Sequence, residues 1–182
     1  GTGVGGGVVL DGEIYRGFNG VGVEIGHTVV EMDGEQCTCG RKGCWEAYAS
    51  VTALIRQTKK AMDENPGSKM HEMAEKEGRV SGRTAFDAAK CGDKAAEAVV
   101  NKYFEYVAEG ITNMVNIFQP NKVVIGGSIS KEGDYLLKPI REYVKKNDYN
   151  RHMEKVQIEI ATLFGDAGII GAALAAKRKF CG

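Results

Sequence analysis

Residues 26–44 read GHTVVEMDGEQCTCGRKGC, and this stretch dictates how the first part of the chain must fold. It contains one imidazole and three thiols, at His27, Cys37, Cys39 and Cys44. Three sulfurs and one nitrogen form a ligand set that closes a tetrahedral structural zinc site. Glycines among the cysteines allow a compact loop to wrap around an ion. The pattern therefore predicts structural Zn²⁺ bound by these four side chains.

The alternative for the same cysteines is a disulfide or a set of free thiols. The chain has five cysteines, an odd number, and it shows neither a secretory signal nor an apolar run of 18 residues. We therefore expect a cytoplasmic protein without a membrane segment, in a compartment where disulfides rarely persist. That expectation favours zinc. We interpret Cys91 as a partly buried small residue and Cys181 as a tail thiol.

Length and composition are those of one globular domain. The chain has 182 residues, of which 43% are hydrophobic and 26% are charged, and its formal net charge is zero. A surface that neutralises phosphates needs a basic excess, so we expect no contact of this chain with nucleic acid. Residues 1–182 show no internal repeat and no linker, which predicts a single domain.

The order of predicted elements indicates the fold class. A β-hairpin turns at Asp11-Gly12, and residues 25–31 read as a third strand. A helix runs from Cys44 to about Met62, Thr84 caps a short helix, and Asp93 caps a long one to about Phe118. Strands at 122–125 and 156–160 alternate with helices at 134–146 and from Asp166 onward. This order predicts an α/β domain with a mixed sheet, flanking helices and an inserted zinc loop.

Two glycine sites could approach phosphate groups. Residues 1–7 read GTGVGGG, and residues 125–128 read IGGS at the end of a predicted strand. Glycines let backbone N–H groups reach an anion, and Thr2 adds a hydroxyl. The first site is equally compatible with a glycine-rich strand packed against another backbone. The second is equally compatible with a plain turn between a strand and a helix.

Two acids flank the cysteine cluster, Glu24 before it and Glu46 after it. Neither is needed as a metal ligand, and carboxylates accept hydrogen bonds from the hydroxyls of a polyhydroxyl ligand. A zinc-bound imidazole keeps its second nitrogen for a ligand or a neighbouring group. The simpler interpretations are an acid at a helix N-terminus for Glu46 and a solvated loop charge for Glu24.

Taken together, these stretches resemble the ROK family of sugar kinases and sugar-responsive repressors. Within that family, the likeness is to the C-terminal lobe of bacterial glucokinases. The resemblance spans essentially the whole chain and is most specific in the zinc block. It rests on residues 1–7, 24–27, 37–46, 126–127 and 166–173.

The resemblance implies an actin/hexokinase-like (ribonuclease H-like) ATPase fold of two lobes, often dimeric, of which this chain is the second lobe. The activity it implies is transfer of the γ-phosphate of Mg-ATP to the 6-hydroxyl of glucose; mannose, fructose and N-acetylated sugars are within the family's range. Sugar hydroxyls would be bound by Glu24, His27 and Glu46, along a wall shaped by zinc. The ATP phosphates would be lined by Thr2, Gly3, Gly5, Gly6 and Gly7, with Gly127 near the adenosine.

The resemblance also implies what this chain does not contain. The family's catalytic aspartate belongs to an Asn-Asp motif upstream of the glycine run, and the sequence begins after it. We therefore expect no catalytic residue in this chain and no activity from this fragment alone. A sugar-sensing domain of a ROK repressor and a separate zinc-stabilised binding module are the alternatives. The phosphate-type glycines favour the kinase.

Overall fold

The computed structural model describes residues 2–181, and the side chains of residues 2–177. Gly1 and the predicted tail thiol of Cys181 lie outside these described parts. Three single-turn or short 3-10 segments lie at Ile25–His27, Ser128–Glu132 and Phe164–Asp166. The regular elements, in chain order, are β1 (Val9–Leu10), β2 (Glu13–Ile14), α1 (Glu46–Ala49), α2 (Val51–Glu64), α3 (Lys69–Glu77), α4 (Thr84–Lys90), α5 (Lys94–Phe118), β3 (Lys122–Ile125), α6 (Asp134–Asn147), β4 (Gln157–Ile160) and α7 (Ala167–Cys181).

The described strands form two separate pairs, and both kinds of pairing expected of a mixed sheet occur. β1 and β2 pair antiparallel, with Val9 opposite Ile14. Their turn, Asp11-Gly12, has positive φ at both residues (52° and 78°), as a tight hairpin requires. β3 and β4 pair parallel through the crossover helix α6, with Lys122 opposite Gln157.

The third strand predicted at residues 25–31 is wrong. Residues 25–27 instead form a 3-10 turn, which Thr28 closes by donating its backbone N–H (3.1 Å) and its hydroxyl (2.7 Å) to the Ile25 carbonyl. Only Val29 makes an isolated antiparallel bridge, to Cys44. The apolar pattern was real, but this segment packs against the cysteine loop instead of joining a sheet.

The single helix predicted from Cys44 to Met62 is divided at Ser50. Ser50 has an extended backbone (φ −76°, ψ 160°), which ends α1, and its hydroxyl accepts a hydrogen bond from the Ala53 N–H at 3.1 Å. Serine is among the preferred N-cap residues, so Ser50 both ends α1 and starts α2. The predicted cap at Thr84 is also wrong, because Thr84 is the first residue of α4. Its hydroxyl instead accepts from the Ser81 N–H.

The core is built around α5, whose buried side chains include Val100, Tyr103 and Ile111. Phe86 of α4 and Leu136 of α6 pack against this helix in one apolar cluster. The long helix thus fills the core of this chain. Among the described residues, none of the helices combines the length and apolar character needed to cross a bilayer.

Several large apolar side chains are exposed. Val124 on β3 is 55% exposed, and Ile169 and Leu174 on α7 are 74% and 59% exposed. Phe18, beyond the hairpin, is fully exposed. Among the described contacts, α7 packs chiefly against the turn that precedes it.

Asp93 caps α5 as predicted, and removing it should cost measurable stability. Its carboxylate accepts from the N–H groups of Ala96 (2.8 Å) and Lys69 (2.6 Å), which joins the starts of α5 and α3. Burial alone would raise the pKa of Asp93, but these donors hold it below its ordinary value of 3.8. We expect Asp93→Ala to lower the free energy of unfolding by about 1–2 kcal/mol in urea titrations at pH 7.

The control for this change is Asp93→Asn, which keeps a capping oxygen and should lose less of the free energy of unfolding than Asp93→Ala. Because the folded pKa is depressed, the charge-dependent part of the wild-type stability is present above about pH 4. It should disappear as the pH falls through the folded pKa. An Asp93→Ala chain that unfolds at the wild-type urea concentration would contradict the capping role.

Candidate metal centre and ligand site

The four predicted metal ligands meet at one point. The Nδ1 of His27 and the Sγ atoms of Cys37, Cys39 and Cys44 all lie within 4.8 Å of one another. Cys37 Sγ is 3.6 Å from His27 Nδ1, and Cys39 Sγ is 3.6 Å from Cys44 Sγ. Zn–S bonds of about 2.3 Å at tetrahedral angles separate two sulfurs by about 3.8 Å. The cluster is therefore compatible with a zinc ion in both ligand type and spacing.

The loop backbone brings these ligands together through its own hydrogen bonds. The Cys37 N–H donates to the Arg41 carbonyl (2.8 Å), and the Gly40 N–H donates to the Cys37 carbonyl (3.1 Å). Gly43 has φ of 77°, and a Cβ there would overlap the Glu31 carbonyl. A glycine is thus required one residue before Cys44, because both the φ angle and the close backbone approach exclude a side chain.

The three thiols differ in environment. Burial, followed by hydrogen bonding with the neighbouring thiols, raises the pKa of Cys44 to about 12. Cys39 is exposed, and hydrogen bonding to the Arg41 backbone lowers its pKa. A metal ion favours thiolates strongly, so binding of zinc to this set would release protons. Among the described cysteines, Cys91 lies apart from the cluster and is exposed, which corrects its predicted partial burial.

Sequence reasoning missed two aromatic residues that fix this loop to the core. The Tyr48 hydroxyl accepts a hydrogen bond from the Glu35 N–H at 2.6 Å, at the start of the loop. The indole Nε1 of Trp45 donates to the Tyr106 carbonyl at 2.7 Å, at its end. The sequence placed both only within the helix predicted from Cys44 to about Met62. Helical spacing alone carries no signal for these polar contacts.

Glu46 is the first residue of α1 and touches the glycine run. Its Oε2 accepts a hydrogen bond from the Val4 N–H at 2.9 Å. A Cβ on Gly3 would overlap this oxygen, so a side chain at that position would have to displace the Glu46 carboxylate. The Thr52 hydroxyl donates to the Thr2 carbonyl at 3.0 Å, which adds a second tie to the same segment. Glu46 also lies in the first turn of a helix, so the simpler dipole interpretation holds as well.

The other predicted site residues lie around this contact. Glu24 is exposed and directly precedes the 3-10 turn that carries His27. Gly26 is buried, and a Cβ on it would overlap the Val4 carbonyl. A Cβ on Gly6 would overlap the Ile25 side chain, whereas Gly5 and Gly7 face open space. The predicted phosphate segment and sugar residues are therefore neighbours.

The second glycine site lies elsewhere, at the carboxyl end of β3. Gly127 has φ of 87° and begins the 3-10 turn at Ser128–Glu132. Its carbonyl accepts a hydrogen bond from the Ser130 hydroxyl at 2.7 Å. Ligands of α/β sheets bind at the carboxyl ends of strands, so its position suits a ligand. The strand-to-helix turn that was the alternative interpretation is present too.

Comparison with known proteins identifies the family. The model of the ROK family matches residues 1–179. This chain belongs to the ROK family. Other members include a glucokinase of Halalkalibacterium halodurans, 39% identical over 98% of this chain and 54% of its own length. A glucokinase of Thermotoga maritima is 36% identical over the whole chain and 57% of its own length.

Solved ROK structures share the fold. A ROK glucokinase from Streptomyces griseus in complex with glucose and AMPPNP superposes with a TM-score of 0.88 at 32% identity, over 98% of this chain and 58% of that one. The actin/hexokinase-like fold class predicted from sequence is confirmed by this likeness. Repressors belong to the family as well: a xylose repressor of Caldicellulosiruptor bescii is 29% identical over 94% of this chain and 43% of its own length. The chain spans about half the length of the curated glucokinases that it matches.

Proposed function

We propose that this chain is the C-terminal lobe of an ATP-dependent hexose kinase that transfers the γ-phosphate of Mg-ATP to the 6-hydroxyl of glucose. The observation that carries the proposal is the hydrogen bond between the Glu46 carboxylate and the Val4 N–H, 2.9 Å long. This hydrogen bond connects the glycine run, which suits phosphate groups, to Glu46, an acid that suits a sugar hydroxyl. A kinase needs both ligands side by side, because phosphoryl transfer depends on positioning.

In this proposal each cluster has one role. The carboxylates of Glu24 and Glu46 accept hydrogen bonds from sugar hydroxyls, and the second ring nitrogen of His27 bonds to the sugar as well. Of the two Glu46 oxygens, Oε2 accepts from the Val4 N–H, and Oε1 remains for the sugar. Structural Zn²⁺ on His27, Cys37, Cys39 and Cys44 would fix that wall. The backbone N–H groups of Thr2, Gly3, Gly5, Gly6 and Gly7 would face the ATP phosphates, and Gly127 would lie near the adenosine.

The proposal leaves the general base to the rest of the protein. An aspartate outside residues 1–182 would deprotonate the 6-hydroxyl, so we expect the isolated chain to be inactive. We further propose a cytoplasmic homodimer acting in carbohydrate metabolism, with entry of glucose into glycolysis as its role, and without contacts of this chain to nucleic acid. Light scattering of the whole protein should give twice the monomer mass.

Turnover across a panel of hexoses tests the activity. In the whole protein, with the amino-terminal half that its relatives carry, we expect ATP-dependent ADP release with glucose and much less with mannose, fructose or N-acetylated sugars. The isolated chain serves as the control and should release none.

A repressor is the second candidate, because xylose repressors also match this chain. Protein that carries zinc and binds sugar, yet turns over no hexose, would overturn the kinase and favour the sugar-sensing domain. Turnover by the isolated chain would overturn the assignment of the base to the other half.

A further inference from the structure

We propose that Trp45 is a positioning residue, seated on Gly110 of α5, that sets the place of the Glu46 carboxylate. This inference rests on the proposed function, in which Glu46 binds sugar hydroxyls. Trp45 is the single tryptophan of the chain and lies between the metal-cluster residue Cys44 and Glu46. Its side chain is 5% exposed, so it packs within the core and not in the ligand site.

The indole is held from two directions. Its Nε1 donates to the Tyr106 carbonyl at 2.7 Å, on the turn of α5 that precedes Gly110. A Cβ built on Gly110 would overlap three indole atoms, Cε2, Cδ2 and Cζ2. The ring can therefore lie against the helix backbone only because residue 110 has no side chain.

Apart from this contact, glycine is an unfavourable residue at position 110. It is buried in the interior of a 25-residue helix, where glycine costs about 1 kcal/mol relative to alanine. The helix gives up that stability at a position where the indole lies against its backbone. The contact therefore explains a residue that helix propensity disfavours.

The backbone transmits this placement to the site. The Trp45 N–H donates to the Thr28 carbonyl at 2.7 Å, next to His27, and the Trp45 carbonyl accepts from the Ala49 N–H at 2.9 Å. Residue 45 is thereby fixed at its side chain, its N–H and its carbonyl. Glu46 follows directly in the chain, so we expect a displacement of the indole to shift the Cα of Glu46. Errors of about 1 Å in a binding group can cost on the order of 100-fold in rate.

Gly110→Ala in the whole protein tests the inference. The added methyl group must displace the indole, so we expect the dissociation constant and the KM for glucose to rise about tenfold or more. The KM for ATP should change less than about twofold, zinc content should stay at the wild-type level, and the emission of the single tryptophan should shift. Gly67→Ala, where a Cβ meets open space, is the matched control and should leave all five quantities unchanged.

A double variant separates positioning from general destabilisation. Trp45→Phe removes much of the ring that the new methyl group meets, so Gly110→Ala should raise the glucose KM less in that background than in the wild type. Lower thermal stability of Gly110→Ala with unchanged glucose affinity would overturn the positioning role. If wild-type protein binds glucose without turnover, the kinase proposal fails and the glucose dissociation constants still test the positioning. Wild-type protein that binds no sugar overturns both.

Discussion

Replacing Cys39 with serine should remove zinc from this chain and lower its thermal stability. The Cys39 thiol is exposed and 3.6 Å from Cys44 Sγ, so its loss opens no cavity and breaks only the ligand set. Metal binding to such a site is folding energy, and we expect a loss of about 3 kcal/mol or more. For a domain of this size, that lowers the unfolding midpoint by on the order of 6–12 °C. Metal analysis and thermal unfolding check both effects.

Cys91→Ser is the matched control, since Cys91 is also an exposed thiol but lies outside the cluster. It should keep one zinc per chain and the wild-type midpoint, because isolated surface changes cost within about 0.5 kcal/mol. If Cys39→Ser and Cys91→Ser behave alike, and both retain their metal, the zinc assignment is wrong. Loss of zinc in both would show that the loss is not specific to the four clustered ligands, which would also contradict the assignment.

Replacing Glu46 with glutamine in the whole protein should weaken sugar binding far more than ATP binding. The glutamine carbonyl oxygen can still accept from the Val4 N–H, so the glycine segment keeps its tie. What is lost is the charge that strengthens hydrogen bonds to sugar hydroxyls. Hydrogen bonds to charged groups contribute about 1.5–3 kcal/mol, so we expect the sugar dissociation constant to rise roughly 10- to 100-fold. Calorimetry with glucose and with an ATP analogue measures the two affinities.

The control for Glu46→Gln is Glu72→Gln, another acid in the first turn of a helix. Glu72 pairs with Lys76 on the surface at 2.6 Å, and this hydrogen bond lowers its pKa. Removing its charge reproduces the helix-dipole effect without touching the site. Equal losses of sugar and ATP affinity in Glu46→Gln would show that the residue is structural and holds the glycine segment in place.

The parts of the fold that the sequence predicts well are those governed by local chemistry. Asp93 caps the start of α5 because its carboxylate accepts from free backbone N–H groups. The apolar residues from there to Phe118 recur with the period of a helix. Asp11-Gly12 turns the hairpin because its positive φ angles suit these residues. The strand expected at residues 25–31 failed because its neighbour is a cysteine loop, which a local pattern does not reveal.

The sequence predicted which residues form the metal cluster, but not the contacts that tie the site to the rest of the chain. The spacing of His27 and the three cysteines indicated a metal cluster, and the structure brings these four side chains together. The contact of Glu46 with Val4 spans 42 positions, and that of Trp45 with Tyr106 spans 61. The first depends on where the glycine run lies against α1, and the second on how α1 packs against α5. Periodicity within one segment carries no information on either. A glycine inside a strongly helical pattern, as at Gly110, is a signal from which such a close contact could have been inferred.

The exposed apolar side chains of Phe18, Val124, Ile169 and Leu174 have a colloidal consequence. Apolar surface left in water drives association, and a formal net charge of zero provides no long-range repulsion to oppose it. Solutions of the isolated chain should therefore show attractive interparticle forces near neutral pH, a negative second virial coefficient and a solubility minimum close to its pI of about 7.0. Moderately alkaline buffer, which adds net negative charge, is the condition in which this lobe should remain dispersed.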